Sequence, residues 1–200
     1  MKYVSKINNP IINEVAQAVS DAYYFIIDDE RFKMSPHMWN IGYNKDLAEI
    51  VYDKFPIIKR FQDLYDMKQN MLYLDFDVKP PAKSFYDNMP HTHGNRDDIN
   101  SIFFPITFSE GTATAFFDPP EDKIIIREVD IEGGGTYTLK ECDWYEPKEV
   151  HQMRVPHIMR IGVFHHPIEI IKGHPDNYKR IICNWESNLP FEKLDALLND

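Results

Sequence analysis

Residues Met89–Asp118 read MPHTHGNRDDINSIFFPITFSEGTATAFFD, and the fold is decided by how this stretch is read. It opens on two histidines one residue apart, His91 and His93. An apolar run follows, breaks at Ser109-Glu110-Gly111 and resumes as a second apolar run. Side chains alternate along an extended segment, so His91 and His93 share one face if the segment is a strand. Two imidazoles on one face, with strands behind them, are the beginnings of a metal clamp. Everything else in the chain is then a barrel and its supports.

Strand-like segments continue on both sides of this stretch. Upstream, MLYLDFDV sets Leu72, Leu74, Phe76 and Val78 against Tyr73, Asp75 and Asp77, the pattern of a strand with one buried face. Downstream, strands are predicted over Ile99–Phe108, Thr112–Phe117, Lys123–Val129, Gly135–Lys140, Arg160–Phe164, Pro167–Ile171 and Arg180–Trp185. Turn signals separate many of them, among them Asp118-Pro119-Pro120, Gly133-Gly134-Gly135 and Gly173-His174-Pro175.

Residues 1–70 read differently. Ile11, Val15, Val19, Tyr23 and Ile26 recur at helical spacing after Pro10, which suits a first helical position. Asn44 is an N-cap for a helix through Leu47, Ile50 and Val51, and Pro56 interrupts or kinks the pattern before it resumes over Ile57–Met67. A closing helix is predicted at Pro190–Leu198. With no repeat, linker or low-complexity tract, the expectation is one domain over residues 1–200: mainly helical support over 1–70, a jelly-roll core over 71–186 and a helix at 190–198. The class is α+β, mainly β, and a jelly roll (double-stranded β-helix, cupin-like) with N-terminal supporting helices fits best.

Composition narrows the function. Apolar residues are 43% of the chain and charged residues 27%, as in soluble globular proteins. The formal charge is −10, from 22 basic and 32 acidic side chains, which disfavours a phosphate-binding surface and hence nucleic acid as partner. No apolar run is long enough to span a bilayer and the first residues carry no signal-peptide core, so the expected location is the cytoplasm. Cys142 and Cys183 are too few for a disulfide framework or a cysteine zinc site, and both read as buried thiols.

The chemistry lies in histidines and one arginine. His37, His151 and His174 occupy loop-like surroundings, and His157 follows Pro156. The pair His165-His166 is different, because it sits in the strand-like IGVFHHPIEII. Alternation groups His166 with Phe164, Ile168 and Ile170, and His165 with Val163 and Glu169. The apolar company favours His166 as the inward ligand, with His165 as the alternative. Fourteen residues beyond His166 comes Arg180, in KRIICNW. An arginine pointing into a barrel needs a partner, and a bidentate carboxylate is the natural one.

Taken together, His91-Thr92-His93, His166, Arg180 and the strand pair INSIFFPITFSEGTATAFFD resemble the iron(II)- and 2-oxoglutarate-dependent oxygenases over roughly Met71–Trp185. The resemblance extends to phage-like and marine-bacterial members with His-x-His in place of His-x-Asp. It implies Fe(II) held by His91, His93 and His166, with 2-oxoglutarate as co-substrate gripped at its far carboxylate by Arg180. It also implies hydroxylation of a substrate, a small molecule or a peptidyl side chain, with release of succinate and CO₂. His93 departs from the usual two-histidine, one-carboxylate triad and removes a negative charge from the site. Asp97 or Asp98 could supply that carboxylate through a bent turn. The same residues would also serve a cupin-like three-histidine enzyme that does not use 2-oxoglutarate, or a zinc hydrolase, and a non-catalytic jelly-roll binding protein is the third reading.

Overall fold

The computed structural model describes residues 2–35, 37–77, 90–92, 100–108, 110–130, 136–143, 145–171 and 179–199. His93, Asp97, Asp98 and His174 lie outside the described residues.

In chain order the elements are β1 (Val4–Lys6), α1 (Ile11–Ile26), β2 (Lys33–Ser35), β3 (Met38–Asn40), α2 (Lys45–Lys54), α3 (Pro56–Leu64) and β4 (Met67–Asp77). There follow β5 (His91–Thr92), β6 (Asn100–Thr107), β7 (Thr112–Phe116), β8 (Ile124–Asp130) and β9 (Thr136–Cys142). The chain closes with β10 (Glu149–His151), β11 (His157–Arg160), β12 (His165–Glu169), β13 (Lys179–Ser187) and α4 (Phe191–Asn199). The strands form a seven-stranded sheet, in the order β1-β11-β6-β13-β4-β3-β2, and a six-stranded sheet, β10-β7-β12-β5-β9-β8. Every pairing among the described residues is antiparallel. The protein is α+β and mainly β.

The helices start and stop where their end residues dictate. The Asn44 side chain accepts a hydrogen bond from the Asp46 N–H at 2.9 Å, satisfying a donor that the first turn of α2 leaves open. Pro56 cannot donate to α2, and it opens α3 at a position where no donor is needed. Together with α1 and α4, these helices cover one face of the seven-stranded sheet. Val19, Tyr23, Phe61 and Leu194 pack there against Tyr73, Phe104, Cys183 and Trp185 in one continuous apolar cluster. The Tyr73 hydroxyl donates to the Val19 carbonyl at 2.9 Å, and the Trp185 indole to the Lys68 carbonyl at 2.6 Å, so neither polar atom is stranded.

The opposite face of this sheet meets the six-stranded sheet. Alternation along β6 and β13 sends Phe103 and Ile182 that way, into a smaller cluster with Phe116, Met159 and Ile161. Tyr3 stacks on Phe116 with ring centroids 5.4 Å apart. Pro105 sits inside β6, and the β13–β6 register shifts between Ile181 and Ile182, opposite that proline. A proline donates no ladder hydrogen bond, which accounts for the irregularity there.

Three expectations change. Residues 1–70 are not only helical: β1, β2 and β3, each of three residues, join the large sheet. Strands so short leave no measurable period in the sequence. In β4 both faces are covered, and Met71 and Tyr73 are buried more deeply than Leu72 and Leu74, because the helices lie over the face that carries Tyr73. The strand expected at Arg160–Phe164 is instead His157–Arg160, and residues 161–163 turn the chain into β12. Gly162 sits in that turn.

Candidate functional site

A single row of side chains crosses the six-stranded sheet. Cα pairing sets His165 opposite Phe116 on one side and His91 on the other, then His91 opposite Glu141, and Glu141 opposite Ile125. Directly opposed residues project from the same face of a sheet. Phe116 belongs to the cluster between the sheets, so this row faces the larger sheet. His165, His91 and Glu141 are 6%, 8% and 2% exposed, whereas Ile125, at the end of the row, is 39% exposed. The row therefore runs from the interior towards water.

β5 is only two residues long, and its neighbours hold it in register. His91 and Thr92 pair with β9, His91 pairs with β12, and the Pro90 carbonyl accepts from the Cys142 N–H at 3.0 Å. The His91 and His165 rings stand 5.3 Å apart, centroid to centroid. His165 Nδ1 lies 2.8 Å from the Val163 carbonyl, and His166 Nδ1 lies 2.6 Å from the Pro167 carbonyl. A carbonyl can only accept, so in both rings Nδ1 carries the proton. The neutral ring then presents its lone pair at Nε2, which is how metal-binding imidazoles are usually oriented from behind.

The alternation of apolar residues favoured His166 for the inward face, but the register puts His165 there. His166 pairs with Ala115 and shares the outer face of the sheet with Ile168, where Phe117, Cys142 and Phe164 form a third apolar cluster. Both sides of β12 are thus covered by apolar residues, and hydrophobicity alone could not tell them apart. The His166 ring nevertheless stands 6.2 Å from His91, edge-on. Burial, with the neighbouring His91 and Arg180 adding to it, pushes the His166 imidazole down to about 4, so it is neutral near pH 7.

Arg180 reaches the same region from the other sheet. It is 4% exposed and spans the gap between the sheets. Nη2 donates to the Thr114 hydroxyl at 3.3 Å, Nη1 lies 3.5 Å from the Ala113 carbonyl, and the guanidinium sits 5.5 Å from the Phe103 ring centroid. Desolvation lowers its pKa to about 10, which still leaves it charged at neutral pH. A cation is thus held in the low-dielectric layer that also contains the histidine row.

Of the remaining described histidines, His151 borders the region, opposite Thr114 and with its ring 5.8 Å from that of Phe116, while His157 and His37 lie on other strands and turns. His151 Nε2 contacts Glu149 at 2.8 Å, the His157 Nδ1 bonds the Val155 carbonyl, and His37 is exposed. Two residues of the region went unnoticed in the sequence. Glu141 lies directly across from His91, and Arg127 Nε approaches Glu141 Oε2 at 2.9 Å. The available sign was Glu141 sharing the alternation of Leu139 in TYTLKEC, a charge on an otherwise buried face.

Among the described residues, no three His, Cys, Asp or Glu side chains converge as a metal cage. The donor types suit a first-row divalent ion: the His165 imidazole, held at Nδ1 by the Val163 carbonyl, the His91 imidazole and the buried Glu141 carboxylate stand in one row. Comparison with protein-family models and with curated proteins finds no match.

Proposed function

We propose that the chain is an Fe(II)- and 2-oxoglutarate-dependent dioxygenase that hydroxylates a small-molecule or peptidyl substrate, built on a jelly roll (double-stranded β-helix). The observation that carries this reading is the buried cross-strand pair His91–His165, with rings 5.3 Å apart and a charged Arg180 in the same intersheet layer. Fe(II) and 2-oxoglutarate, when bound, supply the oxidising power for C–H hydroxylation, with succinate and CO₂ as the other products.

The chain's own residues do the rest. His91 and His165 present nitrogen donors, and the carbonyl of Val163 keeps the His165 ring turned the right way. His93, Asp97 and Asp98 remain candidates for a further ligand, and His166 stands beside the pair. Arg180 offers a fixed positive charge to the far carboxylate of 2-oxoglutarate, and the Thr114 hydroxyl orients its guanidinium. Phe103 and Phe116 line the same layer and keep water away from it.

A second reading, a three-histidine metal enzyme that does not use 2-oxoglutarate, draws on His166 at 6.2 Å from His91. Anaerobic loading with Fe(II), followed by 2-oxoglutarate, separates the two. A visible charge-transfer band that Arg180→Ala abolishes supports the oxygenase. Metal binding without a band moves the weight to the three-histidine enzyme, and no metal binding at all refutes both.

A further inference from the structure

We propose that Glu141 is the carboxylate that compensates the metal's charge in this site, and that Arg127 competes with the metal for it. This inference rests on the metal-site reading above and assigns it a residue from a strand that no His-x-His or His-x-Asp pattern contains. Glu141 is the direct cross-strand partner of His91, so the two side chains leave the same face with Cβ atoms about 4.5–5.5 Å apart. The Glu141 side chain is 3% exposed, yet the ionic partner it meets among the described residues, Arg127, is 48% exposed. Arg127 Nε lies 2.9 Å from Oε2, but the contact is not aligned as a hydrogen bond, and Oε2 is a buried oxygen left with no hydrogen-bond donor.

A carboxylate out of water needs compensation stronger than a half-solvated guanidinium gives it. Arg127 extends from β8, the edge strand of the small sheet, and its head can turn into solvent without unpairing the ladder. A divalent ion at the adjacent histidines is the better counter-charge. Glu141 would then turn from Arg127 towards the histidines when metal arrives, restoring the negative charge that a second histidine in place of an aspartate removes.

Co(II) titration into metal-free protein, read by calorimetry and by visible absorption, tests this on the wild type, Glu141→Gln, Arg127→Gln and the double variant. Glu141→Gln should weaken Co(II) binding by about 10–100-fold. Arg127→Gln should tighten it, and the double variant should match Glu141→Gln alone, because the competition runs through the carboxylate. Unchanged affinity in Glu141→Gln overturns the inference and leaves the metal site standing. Should Glu141→Gln fail to fold, Arg127→Gln decides alone, and unchanged or weaker binding overturns the inference. A wild type that binds no Co(II) removes the metal-site reading, and the inference with it.

Discussion

The large sheet has two neighbours, and they are unlike each other. Between sheet and helices lies a continuous apolar layer in which the polar atoms of Tyr73 and Trp185 are tied to backbone carbonyls. Between the two sheets lies a smaller apolar cluster, next to which His91, His165, Glu141 and Arg180 are all buried. Burying apolar area stabilises, at roughly 25 cal/mol per Å², whereas burying ionisable groups costs free energy unless something compensates them. One layer holds the fold together and the other carries a liability that stability does not explain. That asymmetry is the physical reason to look for chemistry between the sheets.

The largest effect should come from the helix-backed layer. Trp185 is fully buried, packs on Phe61 and Phe104, and donates to the Lys68 carbonyl. Trp185→Ala should cost about 3–5 kcal/mol in denaturant unfolding. A loss below about 1 kcal/mol would break the contrast between the layers.

Next in size is a pH effect confined to the histidine region. Folding lowers the His166 pKa from 6.5 to about 4, so between those values the unfolded chain binds the proton more tightly. Stability of the metal-free protein is therefore full above pH 6.5 and declines as the pH falls towards 4, by no more than about 3 kcal/mol from this group. Unfolding curves over that range should flatten in His166→Gln. An equally steep decline in the variant would assign the effect to other groups.

A smaller loss belongs to Gly42, in the turn Ile41–Tyr43 ahead of α2. A Cβ there would lie 1.4 Å from the Gln69 carbonyl oxygen of β4, so the turn must lift off the strand. Gly42→Ala should cost about 2 kcal/mol, measured by the same unfolding assay. Affinity for Co(II) should stay unchanged, since the contact lies on a different element from the histidines.

The smallest stability change sharpens the comparison most. Arg180→Met replaces a buried cation with an apolar chain of similar length, and should leave stability within about 1 kcal/mol of wild type or raise it. Binding of 2-oxoglutarate to the metal-loaded variant should nevertheless collapse. A strongly destabilised Arg180→Met would mean that the arginine belongs to the scaffold.

Much of the scaffold was legible because local chemistry dictates it. Asn44, Pro56 and the helical spacing from Ile11 to Ile26 announce three helices, alternation marks β4, and strand-like runs between turn signals mark β6, β7, β8, β9 and β13. His91 and Arg180 stood out as unusual residue types in strand-like surroundings, and both are buried at the same layer. The choice between His165 and His166 was not legible. Period-two alternation separates the faces of a strand only when one face meets water, and β12 has apolar neighbours on both.

The sequence by itself determined the helices and most of the longer strands, because capping, proline geometry and side-chain period act within a few residues of one another. It also determined that the chain is acidic overall, at −10, and that histidines and an arginine are set among strands. Only the tertiary structure decided which of them meet. Residues 91, 116, 141 and 165 form one row because four strands, distant in sequence, align in register, and Glu141 gains its place beside His91 from that register alone. A cross-strand neighbour depends on long-range pairing, and no local pattern in the chain encodes it.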